Sequence, residues 1–308
     1  MTAVSHWLAC LLFYLAHIVV APLLLAGFVR KGKAILQGRR GPSVLQPFWD
    51  TFKLLRKGET ISSTATRAFQ WAPLVCLAAA ISAAFMAPWL GLPAPISGDL
   101  LLFIYVLALG KFAMGLAALD TGSSFGAFAA SREAAVSVQT EPAMVTGLAA
   151  LAVHAHSSSL GVLLSPGHPG MHIMVLAPLV VFALWLSAMA ELSRMPVDDP
   201  TTHLELTMIH EALILENSGP GLALMEYAAA LKTLILLGLV ARVLLLIGPP
   251  LGPLVTYVCT MALVMAGAAV LVLAESVLVK LRWRRIPNLL SFAVAAGALA
   301  CLLVAVRG

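Results

Sequence analysis

The chain has 308 residues, of which 61% are hydrophobic and 11% are charged, and its mean hydropathy is +0.97. This composition excludes an ordinary soluble globular domain. The net charge of +5 does not indicate nucleic-acid binding, because the sequence shows no basic face with interleaved aromatic side chains. We therefore expect a membrane protein.

Eight apolar segments are long enough to cross about 30 Å of hydrocarbon, which takes about 20 helical residues. They lie at 8–29, 69–91, 100–119, 142–164, 172–190, 222–247, 253–274 and 287–306. The first segment lacks preceding basic residues and a small-residue cleavage site, so we expect it to be retained. The sequence predicts an all-α integral membrane protein with one membrane domain over 1–308, about eight transmembrane helices and amphipathic helices on the cytoplasmic side.

Lysine and arginine are distributed unevenly among the connections. Nine lie between the first two spans and four between the last two, whereas the connections after spans two, four and six have none. Cytoplasmic connections collect basic residues, so we expect the odd-numbered connections in the cytoplasm and both termini outside.

The first connection contains an amphipathic segment, QGRRGPSVLQPFWDTFKLLRKGE, at 37–59. Lys53, Arg56 and Lys57 occupy one side of a predicted helix. Its other side is apolar and consists of Val44, Leu45, Phe48, Trp49, Phe52 and Leu55. Such a helix lies along a bilayer surface. It is either a basic anchor on anionic lipid or the wall of a cavity or docking face.

The second connection, from Asp120, is rich in small residues and places Arg132, Glu133 and Glu141 at the mouth of the fourth span. Glu141 lies where the apolar run begins, so an unpaired charge there costs several kcal/mol. Arg132 is the nearest candidate partner. A structural ion pair and a proton site are both consistent with this spacing.

The third cytoplasmic connection is acidic. Seven of the chain's 14 carboxylates lie there or just beyond it: Glu191, Asp198, Asp199, Glu205, Glu211, Glu216 and Glu226. Asp199-Pro200 is a helix start and the sequence at 217–220 a stop, which predicts a helix of about 16 residues. Glu205 and Glu216 share one face of it, and His203 and His210 another. These groups either relay protons or are solvated side chains.

Ionisable residues also occur inside the predicted spans: Lys111, Glu226, Lys232, Arg242 and Glu275. Such groups mark an ion path or a polar interface within a bundle. Six residues separate Glu226 from Lys232, a spacing that places them on different faces, so each needs another partner.

The chain carries no recognisable cofactor motif. Its four cysteines, Cys10, Cys76, Cys259 and Cys301, are scattered singly, and no CxxC, Walker loop or GxGxxG is present. We expect no cofactor and no metal in this chain. Redox chemistry then belongs to partner subunits.

Several motifs together carry a family resemblance. They are RRGP at 39–42, QPFWDTFKLL at 46–55, the spacing from Arg132 to Glu141, ELSRMPVDDP at 191–200, ENSG at 216–219 and ESVLVKLRWRRIP at 275–287. In this order they resemble the membrane subunit 1 family of respiratory complex I and its energy-converting hydrogenase relatives. The segment VDDPTTHLELTMIHEA at 197–212 is more similar to the hydrogenase branch, of the formate hydrogenlyase and hydrogenase-4 type, because Val197 and Thr201 to His203 depart from the quinone-reducing pattern.

The resemblance implies that the chain lies in a bacterial or archaeal cytoplasmic (inner) membrane. It also implies that the chain docks a nickel–iron hydrogenase-like large subunit and an iron–sulfur small subunit. Antiporter-like membrane subunits are then its neighbours in the membrane. Fe–S clusters and Ni–Fe are then expected in those partners, and the lipid bilayer is the remaining partner. The alternatives are a quinone-site subunit of a complex I-type oxidoreductase and a stand-alone ion or solute transporter.

The resemblance and the acidic connection together give three sets of candidate residues. The proton- or ion-coupling set is Glu141, Glu191, Asp198, Asp199, Glu205, Glu211, Glu216, Lys232 and Lys111. The structural charge partners are Arg132 and Arg194. The partner-docking set is Arg39, Arg40, Gly41, Pro42, Asp50 and Lys53.

Overall fold

The computed structural model describes residues 3–88, 94–96, 98–165, 171–198 and 208–307. These residues form eleven α-helices and one short 3-10 helix, with no β-strand in the described ranges. The helices are α1 (Ala3–Leu36), α2 (Gln46–Leu55), α3 (Arg67–Met86), α4 (Leu100–Asp120), α5 (Ser124–Ala155), α6 (Leu160–Leu163), α7 (Met171–Glu191), α8 (His210–Ile214), α9 (Gly219–Leu245), α10 (Pro253–Val277) and α11 (Ile286–Arg307).

Eight of these helices are long and apolar enough to cross a membrane: α1, α3, α4, α5, α7, α9, α10 and α11. The predicted fold class, an all-α integral membrane protein with eight spans, is confirmed. Helix α9 is the centre of the bundle and packs against α1, α2, α3, α7 and α10. Small residues allow close helix contacts elsewhere. A Cβ atom on Gly297 of α11, for example, would lie 2.9 Å from the backbone nitrogen of Gly147 on α5.

The fourth span begins earlier than the sequence predicts. Its predicted limits are 142–164, but α5 runs from Ser124 to Ala155, so Arg132 and Glu141 lie within a helix and not in a connection before it. The stretch before Glu141 has low hydropathy because it is rich in Ala, Ser and charged residues. Its helix is stabilised by packing against α4, α7 and α11.

The connections gather at two ends of the bundle. At one end, Thr60 after α1 donates its backbone N–H to Ser218 before α9, and Leu281 after α10 donates to the carbonyl of Pro196 after α7. This end, where the connections after α1, α4, α7 and α10 lie, is named the basic end. At the opposite end, the N–H of Leu100 before α4 donates to the carbonyl of Ser158 after α5.

The amphipathic helix of the first connection is present as α2. It packs against α1 and α9, and Leu45, Trp49 and Phe52 on its apolar side are more than half exposed. Asp50 fixes it to α1, because the Arg30 guanidinium lies 3.2 Å from the Asp50 carboxylate.

The predicted 16-residue helix of the acidic connection is wrong at Met208 and Ile209, which are not helical; residues 199–207, among them Asp199, His203 and Glu205, lie outside the described ranges. The helical part is α8, at His210–Ile214. The carboxylate of Asp198 accepts the backbone N–H groups of Ile209 at 2.9 Å and His210 at 3.3 Å. A distant carboxylate thus satisfies the first donors of this short helix, which then begins at His210.

Candidate functional site

The centre of the site is a buried lysine on α4. The ammonium nitrogen of Lys111 lies 2.8 Å from a carboxylate oxygen of Glu133 on α5 and 2.6 Å from one of Glu191 on α7. It also donates a hydrogen bond of 2.9 Å to the hydroxyl of Ser137. Lys111, Glu133 and Glu191 are each at most 7% exposed. These contacts connect three transmembrane helices through charge.

A fourth charge extends the site to α9. The Lys232 ammonium lies 2.6 Å from the second carboxylate oxygen of Glu191. Glu191 therefore bridges two lysines, and the four side chains, Glu133, Lys111, Glu191 and Lys232, are named the charge network. It holds two cations and two anions, so its net charge is zero when all four are ionised. Desolvation of charges in a bilayer is costly, and such pairing offsets it.

A cavity of about 350 Å³ adjoins the charge network. Its lining includes all four network residues, with Cys76 and Met225 among its apolar members. Further ionisable side chains line it toward the basic end: Arg30, Lys33, Arg194, His210, Glu211 and Glu226. A space of this size has room for several water molecules, and the ionisable side chains along it offer them hydrogen-bond partners.

The acidic connection closes part of this cavity through α8. Burial lowers the pKa of the His210 imidazole, while the nearby carboxylates of Glu211 and Glu133 act in the opposite direction. Lowering the pKa favours the neutral imidazole, which can both donate and accept a proton. His210 lines the cavity on the side that the acidic connection closes.

A second ionic cluster lies at the rim of the cavity. Glu275 near the end of α10 is 2.5 Å from Lys33 of α1 and 2.9 Å from Arg194 after α7. Nearby, Lys280 lies 2.5 Å from the Asp198 carboxylate. These pairs attach the segment after α7 to α10 and to the segment after α10, and Glu275 in turn joins α10 to α1.

The structure brings together most of the sequence-predicted coupling residues. Lys111, Glu191, Lys232 and Glu211 line the cavity together with the predicted charge partner Arg194. Asp198 lies next to them through its contacts to α8.

Three predicted residues lie apart from the network. Glu141 is half-buried, about 12 Å along α5 from Glu133, with no ion pair to any residue in the described ranges. Glu216 is exposed. The Arg132 guanidinium does not pair with Glu141: it lies 4.0 Å from the ring centre of Phe128 and 5.5 Å from that of Trp283.

Three residues of the site were not predicted as site residues from the sequence: Glu133, Lys33 and Glu275. Their partners lie on other parts of the bundle, from 22 to 242 positions away in the chain. Glu133 had one usable sequence feature. It lies four residues before Ser137, so both side chains share the helix face that meets Lys111.

The predicted docking residues lie at the basic end. Arg39, Arg40, Pro42 and Lys53 are exposed, while Gly41 is half-buried. Asp50 differs from them, because its carboxylate accepts hydrogen bonds from the side chains of Arg30 and Gln46 in the same chain. We therefore place Asp50 in the attachment of α2, whereas the docking role of this set stays a prediction.

The structure thus defines a multi-pass membrane protein with a balanced charge network beside a cavity that is lined in part by ionisable side chains. Residues 9–306 match the sequence model of the family described as NADH dehydrogenase. The chain therefore belongs to the NADH dehydrogenase subunit 1 family.

Individual relatives agree with this membership. The chain is 31% identical over 275 residues to formate hydrogenlyase subunit 4 of Escherichia coli strain K12. This alignment covers 85% of this chain and 87% of the relative. It is 29% identical over 242 residues to hydrogenase-4 component C of the same organism, covering 77% and 76%. A subunit of the archaeal membrane-bound sulfane sulfur reductase complex shares the fold, with a TM-score of 0.81 at 17% identity over 96% of this chain and 98% of that one. The chain is a membrane subunit of a respiratory-type complex.

Proposed function

We propose that the chain is the membrane-anchor and coupling subunit of an energy-converting hydrogenase or formate hydrogenlyase-like complex. It docks a peripheral nickel–iron and iron–sulfur module at its basic end and links electron transfer there to proton or sodium translocation. The observation that carries this proposal is the charge network, in which Glu191 bridges Lys111 and Lys232 beside a cavity that further ionisable side chains line.

The coupling is electrostatic. A change of charge in the docked module alters the potential at the basic end, where Asp198 and Lys280 tie the acidic connection to the bundle. The altered potential shifts proton affinities in the cavity, and the disturbance passes along the network. A shift of one pKa unit corresponds to about 1.4 kcal/mol, and moving one charge across 100 mV takes about 2.3 kcal/mol. Shifts at a few coupled groups therefore store enough free energy to move one proton across such a potential. Glu141, Asp199, Glu205 and Glu216 remain proposed members of this path.

A quinone-site role in a complex I-type oxidoreductase is the second candidate. The cavity volume of about 350 Å³ supports it, because small-molecule sites occupy roughly 300 to 1,000 Å³. The many charged side chains of the lining favour the coupling role. A stand-alone transporter is disfavoured by membership of a family whose relatives are subunits of complexes.

The subunit list of the complex separates these functions. We expect a tagged chain, purified from its native membrane in mild detergent, to bring down a hydrogenase-like large subunit and an iron–sulfur small subunit, with nickel and iron in the preparation. After the partners are stripped, the chain itself should contain neither iron nor flavin. Flavin- and NADH-binding partners would support the quinone oxidoreductase instead, and recovery of the chain alone would contradict both.

The proposed docking also requires the basic end to face the cytoplasm. Ser63 lies in the exposed connection after α1 and Ser158 is exposed at the opposite end. In a background lacking the four native cysteines, an impermeant thiol reagent added to intact cells should modify Ser158→Cys and leave Ser63→Cys unreacted. After the membrane is opened, both should react. The reverse labelling in intact cells would contradict cytoplasmic docking.

A further inference from the structure

An exposed apolar stripe runs along α2 on the side that faces away from the bundle. It consists of Leu45, Trp49 and Phe52, and Trp49 is 66% exposed. Their spacing of four and three residues places them on one face of the helix. The other side of α2, on which Pro47 is buried, packs against α1 and α9. The stripe is therefore a surface that neither the fold nor the charge network uses.

The contacts between α2 and α1 show how deep in the bundle α2 lies. Gly27 of α1 lacks a Cβ atom, and the carbonyl group of Val44, just before α2, occupies the space in which that atom would lie. Asp50 pairs with Arg30, three residues further along α1. The apolar run of α1 ends at Val29, and basic residues follow it. Helix α2 therefore lies where the first span leaves the hydrocarbon, at the level of the headgroups.

Exposed tryptophans on two other elements indicate the same level. Trp71 lies in the second turn of α3 and is 61% exposed, and Trp283 is exposed in the 3-10 helix between α10 and α11. Both belong to the basic end of the bundle, as Trp49 does. Tryptophan is enriched at the boundary between hydrocarbon and water, so these side chains support an interfacial position for this end.

Two cations border the apolar stripe. Lys53 and Arg56 are exposed and lie three residues apart, so they are neighbours on the helix surface. The Arg56 guanidinium lies 5.3 Å from the centre of the Phe52 ring. Among the described residues, no carboxylate forms an ion pair with either cation, and Asp50 of the same helix is paired with Arg30. Long basic side chains at such a level place their stems on apolar surface and their charges among the headgroups.

We infer that α2 binds an anionic phospholipid of the surrounding bilayer, with its acyl chains against Leu45, Trp49 and Phe52 and its phosphate between Lys53 and Arg56. Each cation near a membrane surface raises the affinity for anionic lipid about fivefold. The inference goes beyond the proposed function. It assigns Lys53, a member of the predicted docking set, to lipid and leaves the other exposed cations of that set to the partner module.

The test identifies what lies against residue 49 in the purified complex, reconstituted in vesicles of equal amounts of phosphatidylcholine and phosphatidylglycerol. Trp49 is replaced by the photoreactive amino acid benzoylphenylalanine, which couples to a neighbouring C–H group on illumination. Mass spectrometry then counts the adducts with each lipid and with any protein subunit. The double variant Lys53→Gln, Arg56→Gln removes the two charges beside the stripe. The matched control, Arg284→Gln with Arg285→Gln, removes two exposed charges from the connection after α10.

We expect adducts with phosphatidylglycerol to exceed those with phosphatidylcholine by about fivefold or more. This preference should fall below about twofold in Lys53→Gln, Arg56→Gln and stay unchanged in the control. Adducts with another subunit, or a lack of lipid adducts, would overturn the inference, because the stripe would then not face lipid.

Equal adducts with both lipids would also refute the anionic site, as would a preference that survives the loss of both charges. Loss of the preference in the control would assign it to the general surface charge and overturn the role of Lys53 and Arg56. The measurement involves no turnover, so its outcome is distinguishable from a failure of coupling.

Discussion

Replacing Lys111 by methionine should destabilise the protein by about 3 to 5 kcal/mol, the usual cost of removing one partner from a buried ion pair. The substitution leaves Glu133 and Glu191 buried with Lys232 as the one remaining network cation. Methionine fills nearly the same space, so the loss is electrostatic. The four free cysteines allow unfolding of the purified protein to be followed with a dye that reacts with newly exposed thiols.

A second substitution tests whether the loss of charge balance causes the predicted loss of stability. Adding Glu133→Gln to Lys111→Met restores a net charge of zero, so the double variant should recover more than half of the lost stability. Lys57→Met is the matched control, because Lys57 is exposed after α2 and its loss should change stability by less than about 0.5 kcal/mol. If Lys111→Met is as stable as Lys57→Met, or if the two network substitutions simply add, these side chains are not coupled.

The number of spans could be predicted from the sequence because a bilayer requires about 20 apolar residues per helix, whatever the helix packs against. The start of α5 could not be predicted in this way. The residues from Ser124 to Glu141 include charged and small side chains, and their helix depends on neighbours that α4, α7 and α11 provide. Hydropathy reports contact with lipid and not contact with other helices.

The ionisable residues of the site could be found from the sequence, but their pairing could not. An unpaired charge inside a span is conspicuous, which is why Lys111 and Lys232 were predicted. Their common partner, Glu191, is 80 and 41 positions away from them, and a spacing rule applies within one helix. The sequence predicted Glu141 and not Glu133 as a coupling residue, because Glu141 is next to the apolar segment that begins at residue 142. The network instead contains Glu133, whose carboxylate faces Lys111 on α4.

The start of α8 could not be predicted from local helix signals either. The predicted start at Asp199-Pro200 lies outside the described ranges, and within them the carboxylate of Asp198 accepts the backbone N–H groups of Ile209 and His210. Lys280, more than 80 residues later, holds that carboxylate in place. A tertiary contact therefore determines where α8 begins.

The second large effect concerns coupling, and Glu191 is the residue to change because two lysines share it. Glu191→Gln keeps the volume and removes the titratable charge that joins α4 to α9. Electron transfer from the docked module to a soluble dye bypasses the membrane arm and should stay close to the wild-type rate. Glu191→Asp keeps the charge on a shorter side chain and should retain part of the coupling, while Glu59→Gln, at an exposed position, should behave as the wild type.

The most direct measurement is ion uptake by vesicles containing the assembled complex, divided by the electrons transferred in the same preparation. For Glu191→Gln we predict a ratio that falls to about a tenth or less of the wild-type value, with dye reduction preserved. An unchanged ratio would contradict the account and make the charge network a structural element alone. Loss of assembly together with dye reduction would instead show that Glu191 acts through the stability of the bundle, as expected for Lys111, and the electrostatic coupling proposed for this subunit would be wrong.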